Sequence, residues 1–333
     1  MRIGLAGVGR IGAFHAATLN AITEIDSLVL ADAVPTRARD VAHALGVESV
    51  ESPEALFGAG IDGLVIAAAT DAHAPLILAG VDAGLPTFCE KPVAHDVDGT
   101  IAVLDKVSGV DIPVHIGFQR RYDAGYLTAR AAVASGELGW VHTMRSGTLD
   151  PAPPSPEYIA SSGGFFRDCS VHDFDSVRWV SGTEVREVYA VGANRGEEFF
   201  KEVGDIDTAA AVLTLGDGTI ALVSGTRYNA RGYDVRLEVL GSLDSLSVGL
   251  DERLPLRSAE PDVTFPNGTP YPAFMERFRA AYVAELTAFT DMVAGRASAT
   301  CTVADALEAF YIAEACELSR IEHRPVLVDE VRR

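Results

Sequence analysis

The chain has 333 residues, of which 48% are apolar, with 27 Lys and Arg against 47 Asp and Glu, for a formal charge of −20. That length suits two hydrophobic cores better than one. The acidic balance repels phosphate backbones and anionic lipid surfaces at long range, so no nucleic-acid or membrane partner is expected.

The first third alternates short apolar runs with helical stretches. Ile3–Ala6, Leu28–Ala31, Gly63–Ala69, Thr87–Cys89 and Val114–Gly117 read as buried strands. Between them, Ile11–Ala21, Thr36–Leu45, Ala74–Ala83 and Val97–Val107 carry helical patterns. Strands alternating with helices predict βαβ units and a doubly wound parallel sheet. Residues 1–118 are therefore assigned to a Rossmann domain and 119–333 to a second domain. The second part opens with a helix at Ala124–Ala134 and a Pro-rich loop at Asp150–Pro156. Strand-like runs follow at Glu187–Ala193, Thr208–Leu215, Thr219–Thr226 and Val235–Leu240, and Gly216-Asp217-Gly218 marks a hairpin. Two helices, Phe274–Val293 and Val303–Ile321, close the chain. Strands in series predict an α+β domain on an open, largely antiparallel sheet.

Gly7-Val8-Gly9-Arg10-Ile11-Gly12 is a GxGxxG that follows a strand and opens a helix. The first glycine permits the tight turn, the second a close backbone approach to a pyrophosphate, and the third close packing of helix on strand. The helix start then offers free N–H groups to the phosphates. Asp32 ends the second strand, placed to accept hydrogen bonds from the ribose hydroxyls of NAD and to repel the 2′-phosphate of NADP. Arg37 and Arg39 lie close by and leave dual cofactor use open.

Glu90-Lys91-Pro92 follows a strand's carboxyl end, where ligands bind in open α/β sheets. Asp168 and His172 are spaced i, i+4, one face of a helix. A carboxylate beside an imidazole orients it and suits it to accept a hydroxyl proton. Taken singly, each of these is more often a solvated charge or a surface ion pair. The other histidines, His15 among them, are expected to be packed or solvated, and Asp173 and Asp175 to cap a helix or face solvent. The four cysteines, Cys89, Cys169, Cys301 and Cys316, form no CxxC pair and no zinc spacing. Buried reduced thiols, no metal and a cytoplasmic location are expected, with no leader before the first strand.

The conjunction carries further than its parts. The EKP triplet, the run Gly163-Gly164-Phe165-Phe166-Arg167-Asp168-Cys169-Ser170-Val171-His172-Asp173-Phe174-Asp175, Ala68-Ala69-Thr70-Asp71-Ala72-His73, and Gly117-Phe118-Gln119-Arg120-Arg121-Tyr122-Asp123 occur in one chain. Ser224-Gly225-Thr226 leads on to Gly232-Tyr233-Asp234. Together these resemble the glucose–fructose oxidoreductase / inositol dehydrogenase / MocA family over nearly the whole chain. Asp150-Pro151-Ala152-Pro153-Pro154 through Glu157-Tyr158 is typical of its inositol 2-dehydrogenase branch.

The resemblance implies that Lys91, Asp168 and His172 form a catalytic trio: His172 as general base, Asp168 orienting it, and Lys91 stabilising charge on the substrate oxygen. It implies that Arg120, Asp150 and Tyr233 line a polyol pocket. Thr70, His73, Glu90, Lys91 and Pro92 would join the glycine loop (Gly7, Gly9, Arg10, Ile11 and Gly12) and Asp32 in contacting NAD. The implied activity is NAD-dependent oxidation of a secondary hydroxyl of a cyclic polyol, myo-inositol to its 2-keto form first among them. Another inositol isomer, glucose or a sugar ketone is the alternative substrate, and a non-catalytic NAD-binding regulator the alternative class. Family members pair their open sheet faces, so a homodimer or homotetramer is expected. One departure stands out: the branch commonly carries a basic residue before the Asp-Pro pair, where this chain reads Thr148-Leu149-Asp150. That substitution leaves the polyol's stereochemistry open.

Overall fold

The computed structural model describes residues 1–333, which divide into two compact units. One comprises Met1–Gln119 and Tyr282–Leu307, the other Arg120–Ala281 and Glu308–Arg333.

The first unit is built on six parallel strands: β1 Arg2–Ala6, β2 Ser27–Ala31, β3 Glu48–Ser49, β4 Gly63–Ile66, β5 Thr87–Glu90 and β6 Val114–Gly117. Their order, β3-β2-β1-β4-β5-β6, is that of a doubly wound dinucleotide-binding sheet. Helices α1 Arg10–Asn20, α2 Pro35–Leu45, α3 Thr70–Asp82 and α4 Val97–Ser108 provide the crossovers. The predicted strand Gly63–Ala69 stops at Ile66, and α3 begins four residues earlier than its apolar pattern indicated. The run Ala67–Ala69 is apolar but serves as the turn that feeds α3. Leu286, Phe289 and Met292, from the distant helix Arg279–Val293, complete a core with Ile3, Leu5, Leu19, Leu30 and Phe88.

In the second unit a seven-stranded sheet runs β12-β11-β7-β10-β9-β8-β13. Its strands are β7 Val141–Leu149, β8 Val185–Ala193, β9 Thr208–Leu215, β10 Ile220–Thr226, β11 Asp234–Gly241, β12 Ser245–Val248 and β13 Val326–Leu327. Every pairing is antiparallel except β7 with β10. Helix α5 (Ala124–Ser135), the short α6 (Pro156–Ser161) and α7 (Val171–Ser181) belong to this unit, and a π-helical turn at Phe166–Ser170 leads into α7.

The interior strand β7 escaped the sequence reading for a physical reason. Its buried positions are Met144, Ser146 and Thr148, so two of the three are hydroxyls and the apolar alternation that signals a strand is missing. On the opposite face of the sheet, Tyr189, Val191, Val212, Ile220 and Leu222 are exposed. Register places Tyr189 beside Val212 and Val212 beside Leu222, so these side chains form a contiguous apolar patch.

Phe289 is buried in the core of the first unit and meets Phe88 edge to face at 6.0 Å between centroids. Phe289→Ala is expected to lower stability by about 3–5 kcal/mol, the usual cost of deleting a buried aromatic ring. Equilibrium denaturant unfolding checks this, and a loss below about 1 kcal/mol would contradict the packing described.

Candidate active site

The parallel register aligns the carboxyl ends of the strands. Ala6 lies between Ala31 and Ile66, and Ile66 lies beside Cys89. The residues that follow, Gly7, Asp32, the Ala67–Thr70 turn and Glu90-Lys91-Pro92, therefore share one edge of the sheet. Gly7 adopts φ +92°, and a Cβ there would lie 2.5 Å from the Ala68 backbone. A Cβ on Gly12 would lie 2.0 Å from the Gly7 carbonyl, which is what lets α1 press onto the turn, whereas one on Gly9 would meet nothing within 4 Å. Gly9 is also the N-cap of α1, with no side-chain cap and no acidic residue in the first turn. An uncapped helix start beside open space fits a dinucleotide pyrophosphate. Arg10, exposed, and Ile11, packed against the core, begin the helix.

Asp32 is buried and rigidly held. Its Oδ2 accepts from the Val8 amide at 2.9 Å, and its Oδ1 from the Val34 amide at 2.9 Å and from Arg37 Nη1 at 3.0 Å. A carboxylate offers about four acceptor positions, so capacity remains for a further donor. Thr70 is the first residue of α3, and a cis peptide joins Lys91 to Pro92. Glu90 Oε1 meets His15 Nε2 at 2.5 Å. His15 is thus packed, as expected, but against a carboxylate at the sheet edge.

His73 is buried, with Nδ1 2.7 Å from the Pro92 carbonyl and Nε2 3.1 Å from that of Ala68. It clamps the EKP turn to the turn that feeds α3. Burial pushes its imidazole below the usual value, and the two carbonyls only partly offset this.

In the second unit two of the predicted residues, Asp150 and Asp168, meet at an arginine that the sequence reading did not single out. Arg227, just past β10, donates from Nη1 to Asp150 Oδ2 at 2.8 Å and from Nη2 to Asp168 Oδ2 at 2.6 Å. The Tyr158 hydroxyl donates to Asp168 Oδ1 at 2.8 Å. Asp168 lies on the π turn and His172 four residues on, in the first turn of α7, so the pair spans a junction and not the regular helix expected. Such π turns recur at functional sites.

Asp173 and Asp175 correct the sequence reading. They neither cap α7 nor face solvent: Asp173 is buried against Arg120 at 2.9 Å and Asp175 against Arg121 at 2.5 Å. Arg120 also donates to Thr148 Oγ1 at 2.7 Å, and Ser146 and Thr148 donate to Asp173. Tyr233 is buried, its ring edge-on to Phe274 and Phe278, and the Arg120 guanidinium lies 5.8 Å from the Phe278 centroid. Burial pushes the Tyr233 phenol well above its usual value, which keeps it neutral. The departure at residue 149 also finds its place. Leu149 lines a shallow groove with Val191, Ala210 and Ser224 on the open sheet face, opposite to Thr148.

The sequence profile of the oxidoreductase family with an NAD-binding Rossmann fold matches residues 1–118. That of the GFO/IDH/MocA C-terminal domain matches residues 126–247. This chain belongs to the GFO/IDH/MocA family of NAD-binding oxidoreductases. The oxidoreductase is 32% identical to the myo-inositol 2-dehydrogenase of Thermotoga maritima, over 99% of both chains. It is 38% identical to the myo-inositol dehydrogenase Hyg17 of Streptomyces leeuwenhoekii, over 89% of each. Among solved structures it resembles the scyllo-inositol dehydrogenase of Lactobacillus casei with bound NAD(H) and scyllo-inositol. There the TM-score is 0.88 at 29% identity, covering 99% of both chains.

The His73 clamp of this oxidoreductase predicts a pH effect on stability. An unfolded imidazole takes up a proton near pH 6.5, whereas the folded one resists protonation to lower pH. The unfolded state then binds more protons, so His73 subtracts stability as pH falls below about 6.5. His73→Gln, which cannot titrate, is expected to flatten the stability curve between about pH 7 and 5.5 relative to the parent chain. Parallel curves for the two proteins would refute it.

Proposed function

We propose that the chain oxidises a secondary hydroxyl of an inositol to the ketone with NAD⁺, myo-inositol at C2 first among candidates. The observation that carries this reading is the anchored Asp168, held by Tyr158 and Arg227 four residues ahead of His172, in a chain whose relatives are inositol dehydrogenases. Bound NAD⁺ would supply the hydride acceptor for the carbinol carbon. Gly7, Gly9, Arg10, Ile11 and Gly12 would hold its pyrophosphate and Asp32 its ribose. Thr70, Glu90, Lys91 and Pro92 would contact it along the same sheet edge, and His73 keeps their turn in place. His172 takes the hydroxyl proton as the C–H bond breaks, and Asp168 orients its ring. The Lys91 ammonium stabilises negative character on the oxygen and so lowers the barrier. Asp150 and Tyr233 bond the remaining hydroxyls, and Arg120 braces that wall through Asp173. The balance is secondary alcohol plus NAD⁺ to ketone, NADH and a proton.

His172→Ala is expected to lower kcat by roughly 10²–10⁴-fold, the usual worth of a general base. NADH binding should change little. Formation of NADH, followed by absorbance across the inositol isomers and common aldoses, tests substrate and role together. Scyllo-inositol or glucose as the best substrate would overturn the myo-inositol assignment. Unchanged turnover in His172→Ala would overturn the proposed base.

Assembly follows from the exposed patch of Tyr189, Val191, Val212 and Leu222, whose natural cover is the same face of a second copy. The active form is a homodimer or homotetramer. No helix is long and apolar enough to cross a membrane, and the four cysteines are buried free thiols. A reducing cytoplasm suits such a protein, and its charge suits a small-molecule substrate and not nucleic acid. Light scattering should give a multiple of the 35.2 kDa chain mass. Val212→Asp, which charges the centre of the patch between Tyr189 and Leu222, should reduce that multiple. A strict monomer in the unaltered chain would sink the assignment.

A further inference from the structure

We infer that Arg227 is a positioning residue for the oxidation: its guanidinium fixes Asp168, and through it the base, relative to the polyol-binding Asp150. The inference rests on the proposed roles of Asp168, His172 and Asp150.

Arg227 is buried, with 4% of its side chain exposed. Its two terminal nitrogens go to two different carboxylates, Nη1 to Asp150 and Nη2 to Asp168. Those acids come from separate places in the fold: Asp150 follows β7, and Asp168 sits on the π turn before α7. Left without a cation, the two carboxylates would repel one another in a poorly solvated site. Burial works against the Arg227 charge, but the carboxylates of Asp168 and Asp150 outweigh it, and the guanidinium holds its proton more tightly than usual.

The arginine is itself held at two further points. Its amide donates to the Asp207 carbonyl at 2.8 Å. Its guanidinium carbon lies 5.2 Å from the centroid of Phe165. Phe165 in turn comes so close to β10 that a Cβ on Gly225 would lie 2.9 Å from it, and the Phe165 amide donates to Asp205 at 2.9 Å. A planar fork with fixed angles sets the separation of the two acids, which a point charge on a flexible stem does not. Tyr158 occupies the other oxygen of Asp168. The carboxylate therefore has little freedom to turn, and a base aimed by it inherits that constraint. A small displacement of an aimed group costs up to about 10²-fold in rate.

The test is a set of conservative variants. Arg227→Lys keeps the buried charge and loses the fork, and it is expected to lower kcat by roughly 10²-fold with NADH affinity nearly unchanged. Combined with Asp168→Asn it should lose little beyond Asp168→Asn alone, because both changes act through one carboxylate. Losses that multiply, or full activity in Arg227→Lys, would overturn the inference. Added guanidinium should restore part of the rate to Arg227→Ala and none to His172→Ala, and equal restoration in both would count against it. Asp150→Asn gives a check that leaves the arginine in place. If the bridge couples recognition to the base, kcat falls as KM for the polyol rises. A rise in KM with kcat intact would mean that Asp150 and Asp168 act independently, and the inference would fail. The underlying reading fails separately: Asp168→Asn with normal kcat would remove the proton-accepting pair itself, whatever the Arg227 variants do.

Discussion

Two adjacent arginines grip α7, and the arrangement of the second unit's functional residues depends on that grip. Arg120 and Arg121 reach Asp173 and Asp175, and all four side chains are buried. Residues two apart on a helix point about 200° away from one another, so the helix is held on two sides and its rotation is fixed. His172 precedes the first of these acids and takes its direction from the same constraint. Pairs of this kind add little net stability, because removing two charges from water offsets most of their attraction. Losing one partner is another matter, since it strands a charge in the interior and typically costs about 3–5 kcal/mol.

The polar lining of β7 follows from the same pairs. Asp173 receives hydroxyls from Ser146 and Thr148 as well as the Arg120 guanidinium. A sheet with an interior strand that turns hydroxyls inward gives up apolar burial there. It gains a carboxylate bonded at both oxygens, against which α7 rests.

The first unit was the more legible in the sequence. Its strands are continuously apolar because helices cover both faces, and its glycines mark a turn whose sterics admit nothing larger. The second was read as a largely antiparallel sheet from β8 to β11, yet β7 was invisible for the reason that makes it useful: Ser146 and Thr148 face an acid and not an oily core. Asp173 and Asp175 looked like surface residues because charge alone does not reveal that arginines fifty residues earlier are waiting for them. Arg227 gave no local signal either. It stands just past a strand among residues already matched to the family, and its meaning appears only when β7, β10 and the π turn are folded together. The helix Arg279–Val293 could be recognised as a helix, but nothing in its own periodicity tells which core Phe289 and Leu286 complete. Long-range partnership is the common element in these misses.

The alternation along β7 has a consequence for how such a protein varies over evolutionary time. Thr148 points into the network around Arg120, and Leu149, its neighbour, points to the open face. One strand thereby writes two messages in alternating letters. Substitutions at 147 and 149 reshape the outer surface while the inner wording at 146 and 148 is kept, whereas changes at 146 and 148 strip hydroxyls from Asp173. An inserted or deleted residue would exchange the two messages wholesale. A lineage drifting along this strand is therefore free to change its spelling but not its spacing.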